Sequence, residues 1–188
     1  RMSTVLAVLY LIFNEGYLST SPESVREELC TEAIRLTRQL RETSAQLGPQ
    51  PEVLGLLALM LLLDARRPAR VRDGVLVVLP DQDRSTWNSA QIEEGHALVR
   101  QCLELNRPGP YQIQAAINAV HTDAPDASST DWSQVVALYD QLAALTPSAI
   151  VALNRAVAVA ELDGPQVALA IVDDLDLVLQ VLRDAEAG

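Results

Sequence analysis

Lysine is absent from this 188-residue chain, so all 14 basic residues are arginine, set against 25 Asp and Glu for a formal net charge of −11. That imbalance argues against a domain that grips nucleic acid by neutralising phosphates. Cysteine is scarce as well. Cys30 and Cys102 cannot build a disulfide framework, which suits a reducing cytoplasm, and their apolar surroundings in the sequence mark them as buried, inert thiols. Aromatics reach only 4%. Long apolar runs are missing too: 5–13 spans nine residues and 53–63 eleven, whereas a membrane-spanning helix needs about 20. Both runs read as buried core helices, and no basic segment with a small-residue cleavage site frames the first as a signal peptide. Chemical signatures are equally sparse. There is no Gly-rich phosphate loop, no G-x-S-x-G and no Cys–His pattern. The two histidines, His96 and His121, stand in no zinc-type spacing. The expectation is no catalytic residue, no metal and no cofactor.

What is present is helix-forming and apolar. Hydrophobic residues make up 49% of the chain, and 55 residues are Ala or Leu. This is too apolar for disorder and long enough for one domain, 1–188, with a full core. Few aromatics and few β-branched runs favour an all-α fold.

The pattern predicts a first helix over 4–14 that stops near Gly16. Ser21-Pro22-Glu23 opens a second, with a cap, a proline at the first helical position and an acid in the first turn. Its apolar stripe is Val25, Leu29, Ala33, Leu36 and Leu40. The third helix, 52–66, is apolar nearly all round and should be central. Asp73-Gly74 followed by Val75-Leu76-Val77-Val78-Leu79 predicts a β-hairpin within 70–79. Asn88 with Gln91 resembles a capping box for a helix ending near Leu105, and Pro108-Gly109-Pro110 breaks to another that ends near His121, where a cation would suit the macrodipole. Residues 122–130 are small and polar and read as a mobile loop. A helix with Asp131 in its first turn follows, then one capped by Thr146-Pro147, and Asp163-Gly164-Pro165 separates that from a last helical stretch. Helices joined by short loops pair, and Gly55, Ala58, Ala115, Ala116, Ala156 and Ala168 supply the small residues that close contacts need. The resulting expectation is a divergent tetratricopeptide-like helical-pair solenoid with a β-hairpin insertion; an irregular helical bundle is the alternative.

Polar residues embedded in apolar helices are the candidate functional positions: Asn14, Glu15, Asp64, Arg66, Arg67, Asp81, Gln82, Asp83, Arg84, Trp87, Gln112, His121, Asn154 and Arg155. Buried charges need partners, so Arg67 and Arg155 are expected to meet Glu15, Asp64, Asp81 or Asp83. Such a network either pins the hairpin to the helices or lines a groove for a peptide or another domain.

Several strings occur in one order: Val8-Leu-Tyr-Leu-Ile-Phe-Asn-Glu-Gly-Tyr17, Leu29-Cys-Thr-Glu-Ala-Ile-Arg-Leu36, Leu54-Gly-Leu-Leu-Ala-Leu-Met-Leu-Leu-Leu-Asp-Ala-Arg-Arg67, Asp81-Gln-Asp-Arg-Ser-Thr-Trp87, Gly109-Pro-Tyr-Gln-Ile-Gln-Ala-Ala-Ile117, Thr130-Asp-Trp132 and Val151-Ala-Leu-Asn-Arg-Ala-Val-Ala-Val159. Over residues 4–173 the chain resembles the C-terminal extension of group-42 extracytoplasmic-function (ECF) sigma factors. That resemblance implies a tetratricopeptide-like regulatory domain behind the two sigma regions, controlling sigma activity in place of a separate anti-sigma factor. Its partners would be sigma regions 2 and 4 of the same chain, RNA polymerase core, or both. DNA would be met only through those regions, with no membrane involved and a cytoplasmic location in a bacterium. Regions 2 and 4 do not occur in these residues. From Asp173 onward the chain departs from the family, and its start at Arg1-Met2-Ser3 is that expected of a fragment. Alternatives to the regulatory role are a small-molecule sensing domain and a free-standing helical-repeat scaffold.

Overall fold

A computed structural model describes the backbone of residues 2–18 and 23–186 and the side chains of residues 2–17 and 27–175. The expected cap Ser21 and Pro22, and the Val25 side chain, lie outside the described residues. Among the described residues the chain is mostly helical, with one small antiparallel hairpin: α1 (Met2–Leu18), α2 (Glu23–Ser44), α3 (Pro51–Asp64), α4 (Arg67–Arg70), β1 (Val71–Arg72), β2 (Val75–Leu76), α5 (Ser89–Leu105), α6 (Pro110–Asp123), α7 (Trp132–Leu145), α8 (Ala149–Asp163) and α9 (Pro165–Glu186). No described helix is long and apolar enough to cross a membrane.

The helices fall into two compact units, residues 1–130 and 131–188. In the first, α3 packs against α1, α2, α5 and α6. Its lack of a polar face explains this, because an element apolar on every side is stable only when enclosed. Leu56, Leu57, Leu59, Met60, Leu61 and Leu62 of α3 are fully buried. They join Leu6, Leu9 and Phe13 of α1, Cys30, Ala33 and Ile34 of α2, and Leu98 and Val99 of α5. Gly55 lets α6 approach: a Cβ built there would lie 2.6 Å from the Gln112 backbone nitrogen.

Several predicted punctuation marks are where the sequence put them. Asp73 and Gly74 both have positive φ, 52° and 77°, the requirement of a type I′ hairpin turn. The register is Val71 opposite Leu76 and Arg72 opposite Val75. Asn88 caps α5 by accepting from the Gln91 N–H. Asp131, expected in the first turn of its helix, instead stands just before α7 as its cap, accepting from the Gln134 N–H.

Three local expectations are corrected. The first helix does not stop near Gly16 but runs on to Leu18. Gly16 is buried, and Phe13 stacks on Tyr17 across that stretch, with ring centroids 5.5 Å apart. The cap of α8 is Ser148, whose hydroxyl accepts from the Val151 N–H at 3.2 Å, rather than Thr146. Most of the polar stretch 122–130 is structured. Thr122 and Asp123 still belong to α6. Asp126 then organises a 3-10 turn, Ala127–Ser129, through bonds from the Ser129 N–H at 2.9 Å and the Ser128 hydroxyl at 2.7 Å.

In the second unit α7 packs on α8 and α8 on α9. Val135, Leu142, Ala156, Val159 and Ala168 are buried, and Gly164, at φ 95°, turns the chain from α8 into α9.

Candidate functional site

A buried polar cluster of the first unit forms where α3 ends. Asp64 is its last residue and is almost fully buried. One oxygen lies 2.6 Å from the Arg67 guanidinium, and the other accepts from Gln91 Nε2 at 2.8 Å. Arg67 also reaches Glu27 of α2 at 4.0 Å. This part of the cluster is charge-matched, as buried ions require. It borders a cleft of about 490 Å³ whose wall includes Tyr17, Glu27, Asp64, Arg67, Arg70 and Gln91.

The neighbouring arginines are held differently. Arg66 is 7% exposed. It donates to the Asn118 side-chain oxygen of α6 at 2.8 Å and hydrogen-bonds the Tyr17 hydroxyl, while its Nε has no protein partner. Burial, foremost, holds its basicity below the usual arginine range, with the charges of Arg70 and Arg84 adding to the effect. Arg70 lies 3.7 Å from the centre of the Tyr17 ring and donates to the Tyr17 carbonyl. Arg84, in the turn after the hairpin, donates to the carbonyls of His121 at 2.7 Å and Ala124 at 2.8 Å. It also covers the Trp87 ring at 4.5 Å. That satisfies acceptors at the C-terminal end of α6.

His121 therefore does not serve as a cation on the helix dipole. Burial, then Arg66, then Arg84 push its pKa down to about 4, so the imidazole is neutral at pH 7. His96 is likewise lowered, chiefly by burial, and hydrogen-bonds the Thr122 hydroxyl at 2.8 Å. Burial and the charge of Glu52 push the Cys102 thiol up to about 11, so it stays protonated. The described residues contain no group of three or more His, Cys, Asp or Glu placed to hold a metal ion.

Of the sequence-predicted positions, Asp64, Arg66, Arg67, Arg84, Trp87 and His121 come together here. Gln82 braces the hairpin by donating to the Val77 carbonyl at 3.1 Å. Asn14 hydrogen-bonds Tyr10 instead. Glu15, Asp81 and Asp83 are exposed, and Asp83 caps a 3-10 turn by accepting from the Ser85 N–H at 3.0 Å. Gln112 donates to Glu52 at 3.0 Å and to the Arg107 carbonyl at 2.9 Å, away from the cluster. Asn154 is exposed. The partner expected for Arg67 is correct in Asp64, but the one expected for Arg155 is not. Arg155 pairs with Asp140 of α7 at 2.6 Å, because packing of α7 on α8 brings that carboxylate to it inside the second unit. Sequence reading missed Tyr17, Arg70 and Asn118. Arg70 stood one turn beyond Arg66 in an arginine-rich string, a usable signal; nothing local marks Asn118.

Residues 1–103 match the model of a family of unknown function, DUF6596. A protein of Rhizobium meliloti (strain 1021), described as uncharacterized, is 47% identical over 178 residues, covering 93% of this chain and 41% of the relative. The chain thus spans about two fifths of the length of the curated relative it matches. No solved structure matches it.

Proposed function

The chain belongs to the DUF6596 family of unknown function, and we propose that it is the regulatory protein-interaction region of an ECF-type RNA polymerase sigma factor. The ordered strings from Val8 to Val159 support that identity. The observation that carries the interaction role is the hairpin. Val71, Val75 and Leu76 of the short β-ribbon are 45%, 67% and 61% exposed, and Val78 just beyond it is 59% exposed. Val71 and Leu76 face each other on one side of the ribbon and Val75 lies on the other, so both faces offer exposed apolar side chains to a partner. The arginine cluster ties the hairpin's base to α1 and α6, so these side chains are presented on a braced support.

The charge of −11 suits docking on basic DNA-binding regions, where complementary fields supply orientation and speed. The successive packing of α7, α8 and α9, with Gly164 at the turn, supports the tetratricopeptide-like reading for the second unit. The first unit, with α3 enclosed by four helices, is closer to a bundle.

The test adds the chain in trans to sigma regions 2 and 4 and titrates binding at low and high salt. A parallel assay measures transcription by the full-length protein with and without residues 1–188. The expected result is salt-weakened binding that is lost when Val75 and Leu76 are both changed to Ser. Absence of binding at either salt, with transcription unchanged by the deletion, overturns the reading.

A further inference from the structure

Fourteen arginines share this chain with 25 carboxylates, and Arg35, Arg38, Arg67 and Arg155 each pair with one. Arg66, Arg70 and Arg84 do not: among the described residues, none of the three has a carboxylate oxygen within 4.0 Å. Their partners are neutral, namely the Tyr17 hydroxyl, ring and carbonyl, the Asn118 amide, the Trp87 ring and two backbone carbonyls. Asp126 acts on Arg84 through space, and its carboxylate accepts from Ser128 and Ser129. In so acidic a protein, three neighbouring guanidiniums without a matched carboxylate leave a concentrated positive field.

We propose that Arg66, Arg70 and Arg84 form a binding site for a small phosphate-bearing anion. Three features support it. Arg66 is buried and keeps an Nε–H with no protein acceptor, and the buried Trp87 Nε1–H also lacks one. Both are donors, so a ligand that only accepts hydrogen bonds suits them. Next, Arg70 and Tyr17 line the cleft of about 490 Å³, beside Arg67, Glu27 and Asp64, and Tyr17 hydrogen-bonds Arg66; the cleft thus meets the cluster at Arg70, and an anion reaching Arg66 must displace the Tyr17 side chain. Last, the planar guanidinium fork matches tetrahedral oxyanions bidentately, and several forks around one site favour a phosphate, with its two charges and three terminal oxygens, over a carboxylate. A nucleic-acid strand is disfavoured by the overall charge and by the recession of Arg66.

The site joins three segments: the end of α3 through Arg66, the hairpin's entry through Arg70 and its exit through Arg84. Occupancy would cross-link the base of the hairpin. Binding does not rest on the sigma-factor reading; only the step from occupancy to hairpin-mediated docking does.

The experiment titrates the full chain with inorganic phosphate, pyrophosphate and a nucleoside diphosphate by calorimetry and thermal shift at constant ionic strength, with citrate as the polycarboxylate control. The expected result is saturable 1:1 binding and a raised Tm for at least one phosphate species, with citrate much weaker. Arg70→Gln, which changes a residue on the cleft wall, weakens binding about tenfold or more. Arg66→Gln does the same where it folds, and Arg155→Gln in the second unit has no effect. Preference for the nucleoside diphosphate over pyrophosphate assigns the phosphate to a nucleotide; the reverse assigns it to a free phosphate species. No saturable binding by any of the three, equal binding of citrate, or affinity unchanged in Arg70→Gln overturns the proposal.

Discussion

Glu52, in the first turn of α3, accepts a hydrogen bond from the Gln112 side chain at 3.0 Å across 60 residues of sequence. The same carboxylate faces the backbone N–H groups of Tyr111 and Gln112 at 3.2 and 3.3 Å. It therefore acts as an external cap for α6, whose own N-cap, Gly109, has no side chain to offer. A negative charge there also complements the helix dipole.

Glu52→Ala is expected to destabilise the chain by about 1–2 kcal/mol, the range seen when a cap is removed, and Glu52→Gln by less. Urea denaturation at pH 7 measures both; a change within error for Glu52→Ala would remove the capping role.

Gly55→Ala should also destabilise, by about 1–3 kcal/mol, against the usual gain from replacing a helical glycine. The added Cβ would meet backbone atoms of Gln112 at 2.6 and 2.8 Å, which cannot swing aside as a side chain can. Thermal unfolding of the variant distinguishes the two signs.

Asp64→Asn leaves the Arg67 guanidinium without its close carboxylate in a largely buried setting. Full burial would place the cost at about 3–5 kcal/mol. Partial exposure of Arg67 reduces the expectation to about 2 kcal/mol. Adding Arg67→Met to the same chain should recover part of the loss, because both charges are then gone. A double-mutant cycle by urea denaturation checks the coupling.

What could be read from the sequence was what depends on near neighbours. The all-apolar 53–63 run can only be enclosed, and Asp73-Gly74 can only turn one way between β-branched residues. Asn88 caps because an oxygen three residues before an N–H is within reach by local geometry alone, and Asp131, read one position too far into its helix, caps for the same reason. Gly16 misled because glycine stops a helix only where φ turns positive, and stacked Phe13 and Tyr17 carry the helix past it. Arg155 misled because its partner depends on which helix folds beside it. The candidate cluster divides the same way. Asp64, Arg66 and Arg67 stood out as polar residues closing an apolar helix. Asn118 and Tyr17 are ordinary residues for their helices, and their role comes from where α1 and α6 meet the end of α3.

The His121 shift makes a sign-definite prediction about acid. In the folded chain the imidazole titrates at about 4; in the unfolded chain it returns to about 6.5. Between those values the unfolded state binds the extra proton, so stability is full above about pH 6.5 and falls as pH drops toward 4. The loss from this residue amounts to at most about 3 kcal/mol. The lowered pKa values of Asp83, Asp126 and Asp131, set mainly by Ser85, by Ser128 and Ser129, and by Ser133 with the Gln134 N–H, act in the same direction at lower pH, below their unfolded range. His121→Gln should flatten the stability profile between pH 6.5 and 4 while leaving the steeper fall below it. Urea denaturation across that range, with imidazole NMR titration of the parent chain, measures the slope and the pKa separately. A His121 resonance titrating near 6.5 would show that neither burial nor the charges of Arg66 and Arg84 lower it, and the flattening would then be absent. An anion seated between those arginines would raise the same pKa, so repeating the NMR titration in saturating pyrophosphate reads the site from inside the protein.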